Sequence, residues 1–128
     1  MSVHITGSGS FIPEILKKNK DFMNIEFLNP DGSKFDVSND VIIKKFQSIT
    51  GIEERRYASE NDLTSDLAYK AAKNAIIDSG IDSESLDYVI VAHNFGDISH
   101  KNHHSDMLPS LSSRVKNKLK IKNTNCVC

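Results

Sequence analysis

The densest group of side chains that could do chemistry lies between residues 93 and 106, where four of the five histidines stand near two aspartates. Imidazole and carboxylate groups bind metals, and imidazole is a frequent general base. A structural zinc site takes four well-placed ligands, and this spacing does not supply them. We therefore predict a solvated loop without a metal site, and a histidine at position 93 that makes an ordinary hydrogen bond. The residues concerned are His93, Asp97, His100, His103, His104 and Asp106.

Both cysteines of the chain, Cys126 and Cys128, stand in a short apolar run. Side chains two residues apart on a strand make a very poor disulfide, and Cys-x-Cys alone is not a zinc signature. A catalytic thiol needs a neighbouring base or a helix N-terminus to lower its pKa, and the middle of a strand offers neither. We predict two buried strand residues in a reducing compartment, the cytoplasm.

Two further features could bind an anion. Arg55 and Arg56 are adjacent, but such a pair more often makes edge-strand ion pairs with neighbouring glutamates, which is the interpretation we favour. Residues 7–9, Gly-Ser-Gly, have a spacing that fits neither the dinucleotide-binding nor the Walker pattern. Glycines inside a strand pattern instead indicate close approach of the backbone to a neighbour.

The composition is that of a soluble globular domain: 128 residues, 38% hydrophobic and 26% charged. A net charge of −1 excludes a general attraction to nucleic acid or to an anionic membrane. The first residues resemble no signal peptide, and no apolar run approaches the ~18 residues that span a bilayer. We therefore predict neither a nucleic-acid nor a membrane partner.

The elements that must position these residues alternate between strand and helix. The prediction for each segment is a strand at 3–11, a hairpin at about 26–37, helices at 38–50, 64–80 and about 107–121, and strands at 52–59, 88–92 and from 124. This order indicates an α/β layered domain with a mixed sheet and helices on both faces.

The apolar spacing predicts which faces are buried. Ile42, Phe46 and Ile49 form one helical stripe, and the series at 111, 115 and 119 forms another. Alanines dominate one face of the helix at 64–80 and indicate close packing. The continuous run from Tyr88 to Ala92 is typical of a strand buried on both faces, and ligand sites lie beyond the carboxyl ends of such strands. His93 and Asn94 occupy that position.

Four segments resemble the β-ketoacyl-[acyl-carrier-protein] synthase III family, whose members are thiolase-like condensing enzymes. They are "ITGSGSFIPE" near the start, "TGIEERRYA" at 50–58, "LAYKAAKNAIIDSGID" at 67–82 and "DYVIVA" at 87–92. The resemblance implies a thiolase-like α/β fold, of which residues 1–128 are part of the N-terminal half, with an inserted hairpin at about 26–37. It implies a chain truncated before the nucleophilic cysteine, which would follow shortly after Cys128, and a catalytic histidine and asparagine in the missing half. No catalytic residue is thus expected here.

The resemblance also implies substrates and site residues. The family reaction is a decarboxylating Claisen condensation of an acyl thioester, acyl-CoA or acyl-ACP, with malonyl-ACP, by a homodimer without a cofactor. Asn94 matches an acyl-pocket position, and Leu108 matches an apolar residue that reaches the partner subunit's pocket. Lys45 and Ile49 stand where the bacterial starter enzymes place a Trp and an Arg around the CoA adenine. Lys45 could still meet a phosphate of CoA or of the carrier protein.

Two alternatives remain open from the sequence. One is a small stand-alone binding module that uses the His-rich loop for a metal or a protein partner. The other is a noncatalytic dimerisation partner.

Overall fold

The computed structural model describes residues 2–128, with the exception of the side chain of His103. The chain divides into a larger unit, residues 2–12 with 58–128, and a smaller unit, Pro13–Tyr57. Within the described residues, every helix is too short or too polar to cross a membrane.

The smaller unit contains a two-stranded antiparallel sheet and one helix. Strand β1 (Ile15–Lys18) pairs with β2 (Glu54–Tyr57), and a 3-10 turn (Asn19–Phe22) follows β1. Helix α1 (Asn39–Thr50) ends at Gly51, whose φ of +67° is the left-handed conformation expected at that position. The predicted helix and the predicted strand at 52–59 are confirmed.

The buried stripe predicted for α1 is wrong in part. Ile42 and its neighbour Ile43 are buried, whereas Ile49 is 71% exposed. Phe46 packs edge to face on Phe27, with 5.8 Å between the ring centroids, and remains half exposed. The helix therefore buries only the neighbouring Ile42 and Ile43, whereas Val41 and the apolar groups of the later turns lie at the surface of this unit.

The hairpin predicted at about 26–37, with its turn at 29–32, is present in a minimal form. Leu28 and Lys34 make a single antiparallel bridge, and the N–H of Gly32 donates to the carbonyl of Asn29 over 2.9 Å. Gly32 has a φ of +83°, which the turn needs and a side chain would oppose. Its status as an insertion stays a prediction.

Two helices form the framework of the larger unit. Helix α2 (Thr64–Ser79) ends at Gly80, and helix α3 (Leu111–Lys118) packs against it with Leu111 and Val115 buried. Both predictions are confirmed.

Residues 7–11 run along α2 without forming a regular strand, so the strand predicted at 3–11 is wrong. The reason is that its polar groups bond to the helix: the N–H of Ser8 donates to Asp78 Oδ2 over 2.8 Å, and Asn74 donates to the carbonyl of Ser10. A Cβ on Gly9 would lie 2.2 Å from the backbone nitrogen of Ala75. The glycines thus permit the close approach that the sequence predicted.

The strand predicted at 88–92 is reduced to one parallel bridge between Tyr88 and Val127. Ile90 is 87% exposed, which contradicts burial on both faces. A strand is buried on both sides only inside a wider sheet, and the described residues supply one partner on one side. Cys126 is buried as predicted, whereas Cys128 is exposed, and both are free thiols.

The His-rich segment is a β-hairpin rather than the predicted loop. Strand β3 (Asp97–Ser99) pairs antiparallel with β4 (Asn102–Asp106), with Asp97 opposite Asp106. A Cβ on Gly96 would lie 2.2 Å from the carbonyl oxygen of Asp106, so glycine allows the two backbones to meet at the open end of the hairpin.

Candidate functional site

A buried carboxylate lies at the open end of the β3–β4 hairpin. Asp97 is only 4% exposed, and its two oxygens accept hydrogen bonds from the N–H and the Oγ of Ser65, both over 2.8 Å. Ser65 lies in the first turn of α2 and is itself buried. Arg114 of α3 donates from Nη1 to Asp97 Oδ2 over 3.1 Å. Hydrogen-bond donors on α2 and α3 therefore offset the free-energy cost of burying the Asp97 carboxylate.

The guanidinium of Arg114 contacts four groups. Nη2 donates to the carbonyl of Leu108 over 2.7 Å, and Nε donates to the carbonyl of Pro109 over 2.9 Å. Nη2 also lies 2.8 Å from Asp106 Oδ2. The hydrogen bond to Asp106 is the main cause that raises the pKa of Arg114, with burial acting in the opposite direction. Arg114 thus joins Asp106, at the end of β4, to Leu108 and Pro109, which lie two and three residues further along the chain.

Asn94 and Leu108 flank this network. Asn94 precedes β3 and Leu108 follows β4. Because Asp97 pairs with Asp106, Asn94 and Leu108 both lie beyond the open end of the hairpin. Both are exposed, Leu108 to 83%. Their predicted role in an acyl pocket stays a prediction.

A cavity of about 380 Å³ lies beside the network and contains two cationic groups. Both are already paired: Arg114 with Asp97 and Asp106, and Lys118 with Asp66 Oδ1 over 2.6 Å. The cavity therefore presents no unpaired charge to an anion. Its lining residues are Leu63, Ser65, Asp97, Pro109, Ser113, Arg114, Asn117 and Lys118.

The predicted CoA- or ACP-binding residue, Lys45, lies in the smaller unit. It is exposed and borders an open apolar groove of about 250 Å³ that Ile49 also lines. The other lining residues are Phe35, Val37, Val41, Ile42 and Phe46. Aliphatic and phenyl groups thus surround the position at which the resemblance implied a Trp and an Arg.

The histidines do not assemble into a site. His93 is exposed, and no hydrogen bond of its ring occurs among the described contacts. His100 Nε2 lies 3.8 Å from Glu60 Oε1 at the surface, His104 is exposed, and the side chain of His103 lies outside the described residues. Among the remaining described side chains, no group of three or more acids, histidines or cysteines is placed to hold a metal.

The arginine pair on β2 is used differently from the prediction. Arg55 donates to Asn19 Oδ1 over 2.9 Å and stacks over the Phe22 ring at 5.7 Å. Arg56 donates to the carbonyl of Glu14. Among the described ion pairs neither arginine is involved, so the favoured edge-strand ion pair is wrong.

Sequence reasoning did not identify Ser65 or Arg114. A signal for Arg114 existed: it stands three residues after Leu111 and next to Val115, beside the buried stripe of a short helix. An arginine at the border of a buried stripe needs a partner. No comparable local signal marks Ser65, which is 32 residues from Asp97 in sequence.

Comparison with known structures identifies the class to which this fold belongs. No family model matches the chain. The crystal structure of 3-oxoacyl-[acyl-carrier-protein] synthase III from Aquifex aeolicus superposes with a TM-score of 0.69 at 26% identity and covers 96% of this chain and 33% of that chain. For the Thermus thermophilus enzyme of the same type the TM-score is 0.67 at 27% identity, over 98% of this chain and 32% of that one. The chain therefore has a partial thiolase-like α/β fold.

The sequence relatives point to a family within that class. A β-ketoacyl-[acyl-carrier-protein] synthase III of Staphylococcus haemolyticus is 38% identical over 119 residues, which are 93% of this chain and 31% of that protein. One of Clostridium acetobutylicum is 38% identical over 125 residues, 98% of this chain and 32% of that protein. The chain is similar to curated β-ketoacyl-[acyl-carrier-protein] synthases III along nearly its whole length, and it spans about a third of the length of the relatives it matches.

Proposed function

We propose that residues 1–128 are the N-terminal part of a 3-oxoacyl-ACP synthase III-like acyltransferase. The observation that carries this proposal is the similarity to such synthases over 93% of the chain. The longer protein that would contain these residues is called the parent polypeptide below. Its substrates are an acyl thioester, acyl-CoA or acyl-ACP, and malonyl-ACP, and it works as a cytoplasmic homodimer.

The proposed reaction has two stages. A cysteine thiolate beyond residue 128 attacks the acyl thioester, forms an acyl-enzyme and releases the thiol of the donor. Malonyl-ACP then loses CO2, and the enolate carbon that this leaves attacks the acyl carbonyl. The new carbon–carbon bond gives a tetrahedral oxyanion that hydrogen-bond donors stabilise, and its collapse re-forms the carbonyl and expels the cysteine thiolate. Cys126 and Cys128 take no part in these steps.

The described residues would contribute to substrate binding. Asn94 and Leu108 are proposed to line the acyl pocket, and the high exposure of Leu108 supports a contact with a further surface. Lys45 is proposed to meet a phosphate of the donor, and the apolar groove beside it could accept the less polar part of that donor.

A condensation assay on the parent polypeptide tests the proposal. Acyl-CoA and acyl-ACP donors of increasing chain length are combined with malonyl-ACP, and 3-oxoacyl-ACP is detected by mass spectrometry. Product is expected from the parent polypeptide and from its Cys128→Ser variant, but not from residues 1–128 alone. Absence of product with every donor, or product from residues 1–128 alone, would overturn the proposal.

The role of Lys45 is tested by Lys45→Gln with Lys44→Gln as the matched control. Both lysines are exposed on α1, but Lys44 pairs with Asp40 over 2.8 Å. The loss of one exposed charge contact should raise the donor KM roughly two- to fivefold in Lys45→Gln and leave kcat unchanged. An equal rise of the donor KM in Lys44→Gln would contradict a specific role of Lys45 in donor binding.

A further inference from the structure

We propose that Arg114 is a positioning residue: it sets the conformation of residues 106–109 and thereby the acyl-chain selectivity of the enzyme. The part of this proposal that concerns selectivity rests on the proposed function. The part that concerns position rests on the structure alone.

Arg114 bonds mainly to residues 106–109, and in part to their backbone. Two of its four bonds go to the main-chain carbonyls of Leu108 and Pro109, and a third goes to Asp106. Bonds to carbonyl oxygens fix the path of the backbone whatever side chains it carries. A guanidinium presents several donors in a rigid plane, whereas a lysine ammonium is a point charge on a flexible stem.

Beyond Asp106, which pairs with β3, little else holds residues 107 and 108. The side chain of Leu108 is 83% exposed and that of Met107 is also exposed, so their own packing contributes little to their position. Arg114, in contrast, is 18% exposed and belongs to a helix whose Leu111 and Val115 are buried. Leu108 therefore depends on a contact that comes from a buried part of the molecule.

Arg114 is itself held in place by a buried carboxylate. Its Nη1 donates to Asp97, and that buried carboxylate is fixed by two hydrogen bonds from Ser65 at the start of α2. The chain of contacts from α2 through Asp97 and Arg114 to Leu108 consists of charged hydrogen bonds, which are stronger than neutral ones. The segment that presents Leu108 is thereby tied to two helices.

Helix α3 offers a matched control. Lys118 lies four residues after Arg114 on the same helix and pairs with Asp66 of α2 over 2.6 Å. It makes none of the described contacts with residues 106–109. A variant at Lys118 therefore removes an ion pair between the same two helices without touching the segment.

Hydrogen exchange tests the positioning. Amide exchange at residues 106–108 is measured by NMR or mass spectrometry in parent polypeptides carrying Arg114→Gln, Arg114→Lys or Lys118→Gln, each at the same interval below its own Tm. We expect about tenfold faster exchange in Arg114→Gln, a smaller change in Arg114→Lys and none in Lys118→Gln. Unchanged exchange in Arg114→Gln, or an equal increase in Lys118→Gln, would overturn the proposal.

The selectivity is tested by the ratio of kcat/KM for a long and a short acyl donor. We expect this ratio to change about fivefold in Arg114→Gln and to stay at the wild-type value in Lys118→Gln. An unchanged ratio together with faster exchange would refute the effect on selectivity. If the wild-type parent polypeptide makes no 3-oxoacyl product, the proposed function fails, and the exchange measurement still decides whether Arg114 positions the segment.

Discussion

The chain contains two hairpins that are held by different means. The hairpin around 29–32 closes through one bridge, and its ion pair, Lys34 Nζ to Glu26 Oε1 at 2.6 Å, joins side chains that are 78% and 55% exposed. The β3–β4 hairpin has a buried carboxylate, Asp97, at its open end and is bonded there to α2 and α3.

The difference shows which contacts make a hairpin a reliable support for function. Contacts among exposed residues of one turn are screened by water and contribute little. A buried charge with several donors is costly to disturb, so the residues next to it keep one arrangement. The first hairpin contacts α1 through apolar groups such as Phe27, and its polar contacts given above stay among exposed residues, whereas the second is bonded through a buried charge to two helices. The exposed Leu108 follows the second.

The largest difference is expected between Asp97→Ala and Asp31→Ala. Removal of the Asp97 carboxylate leaves the buried N–H and Oγ of Ser65 without their acceptor and takes from Arg114 the more buried of its two carboxylates, which should lower the free energy of unfolding by about 3–5 kcal/mol. The described side-chain bonds of Asp31 go to Ser33 of its own exposed turn, and its loss should have a much smaller effect. Urea denaturation measures both, and equal losses would contradict the comparison.

A smaller difference is expected between Gly96→Ala and Gly32→Ala. The new methyl group at 96 would collide with the carbonyl of Asp106, which should cost about 1–3 kcal/mol and disturb the pairing of β3 with β4. At Gly32 the space is open and only the φ of +83° opposes a side chain, at a cost of about 1 kcal/mol. Thermal unfolding with the amide NMR spectrum of residues 97–106 distinguishes the two, because only Gly96→Ala should shift those signals.

The contributions of Asp62, just before α2, and of Asp31 to stability should both depend on pH, but to different extents. Hydrogen bonds from Lys70 and Ser59 lower the pKa of Asp62 to about 2, and bonds from Ser33 lower the pKa of Asp31. The unfolded chain therefore binds more protons than the folded one below about pH 4, so these contributions to stability are complete above that pH and are lost as the pH falls towards 2.

The Tm difference between wild type and Asp62→Asn should accordingly be clear at pH 6 and vanish near pH 2. The difference for Asp31→Asn should follow the same direction and be smaller, because its partners belong to one turn. A Tm difference for Asp62→Asn that grows on acidification would refute the assignment.

The smallest effect is expected for Lys34→Gln. The hydrogen bond to Glu26 raises the pKa of Lys34, but both groups are exposed. We expect no measurable change in Tm in 0.1 M salt, where exposed pairs are largely screened. A clear loss would show that the first hairpin depends on this ion pair.

Local patterns were enough to predict the helices. Gly51 and Gly80 end α1 and α2 as predicted, and Leu111 and Val115 are buried as their spacing requires. Such features depend on residues within one or two turns of each other. The strands were predicted less well, because a strand needs partners from elsewhere in the chain: Tyr88 has one bridging partner and residues 3–11 bond to α2 instead.

The same distinction between local and long-range contacts applies to the site. The sequence by itself determined the helices, the close approach at Gly9 and, through four segments of residues, the similarity to the β-ketoacyl-[acyl-carrier-protein] synthase III family. The tertiary structure alone decided that the His-rich segment is a hairpin and that Ser65, Asp97 and Arg114 meet at its open end. Ser65 precedes Asp97 by 32 positions, and Arg114 follows it by 17. These residues come into contact only when α2, α3 and the hairpin pack together. The contact is then required, because a buried charge without a partner costs much free energy.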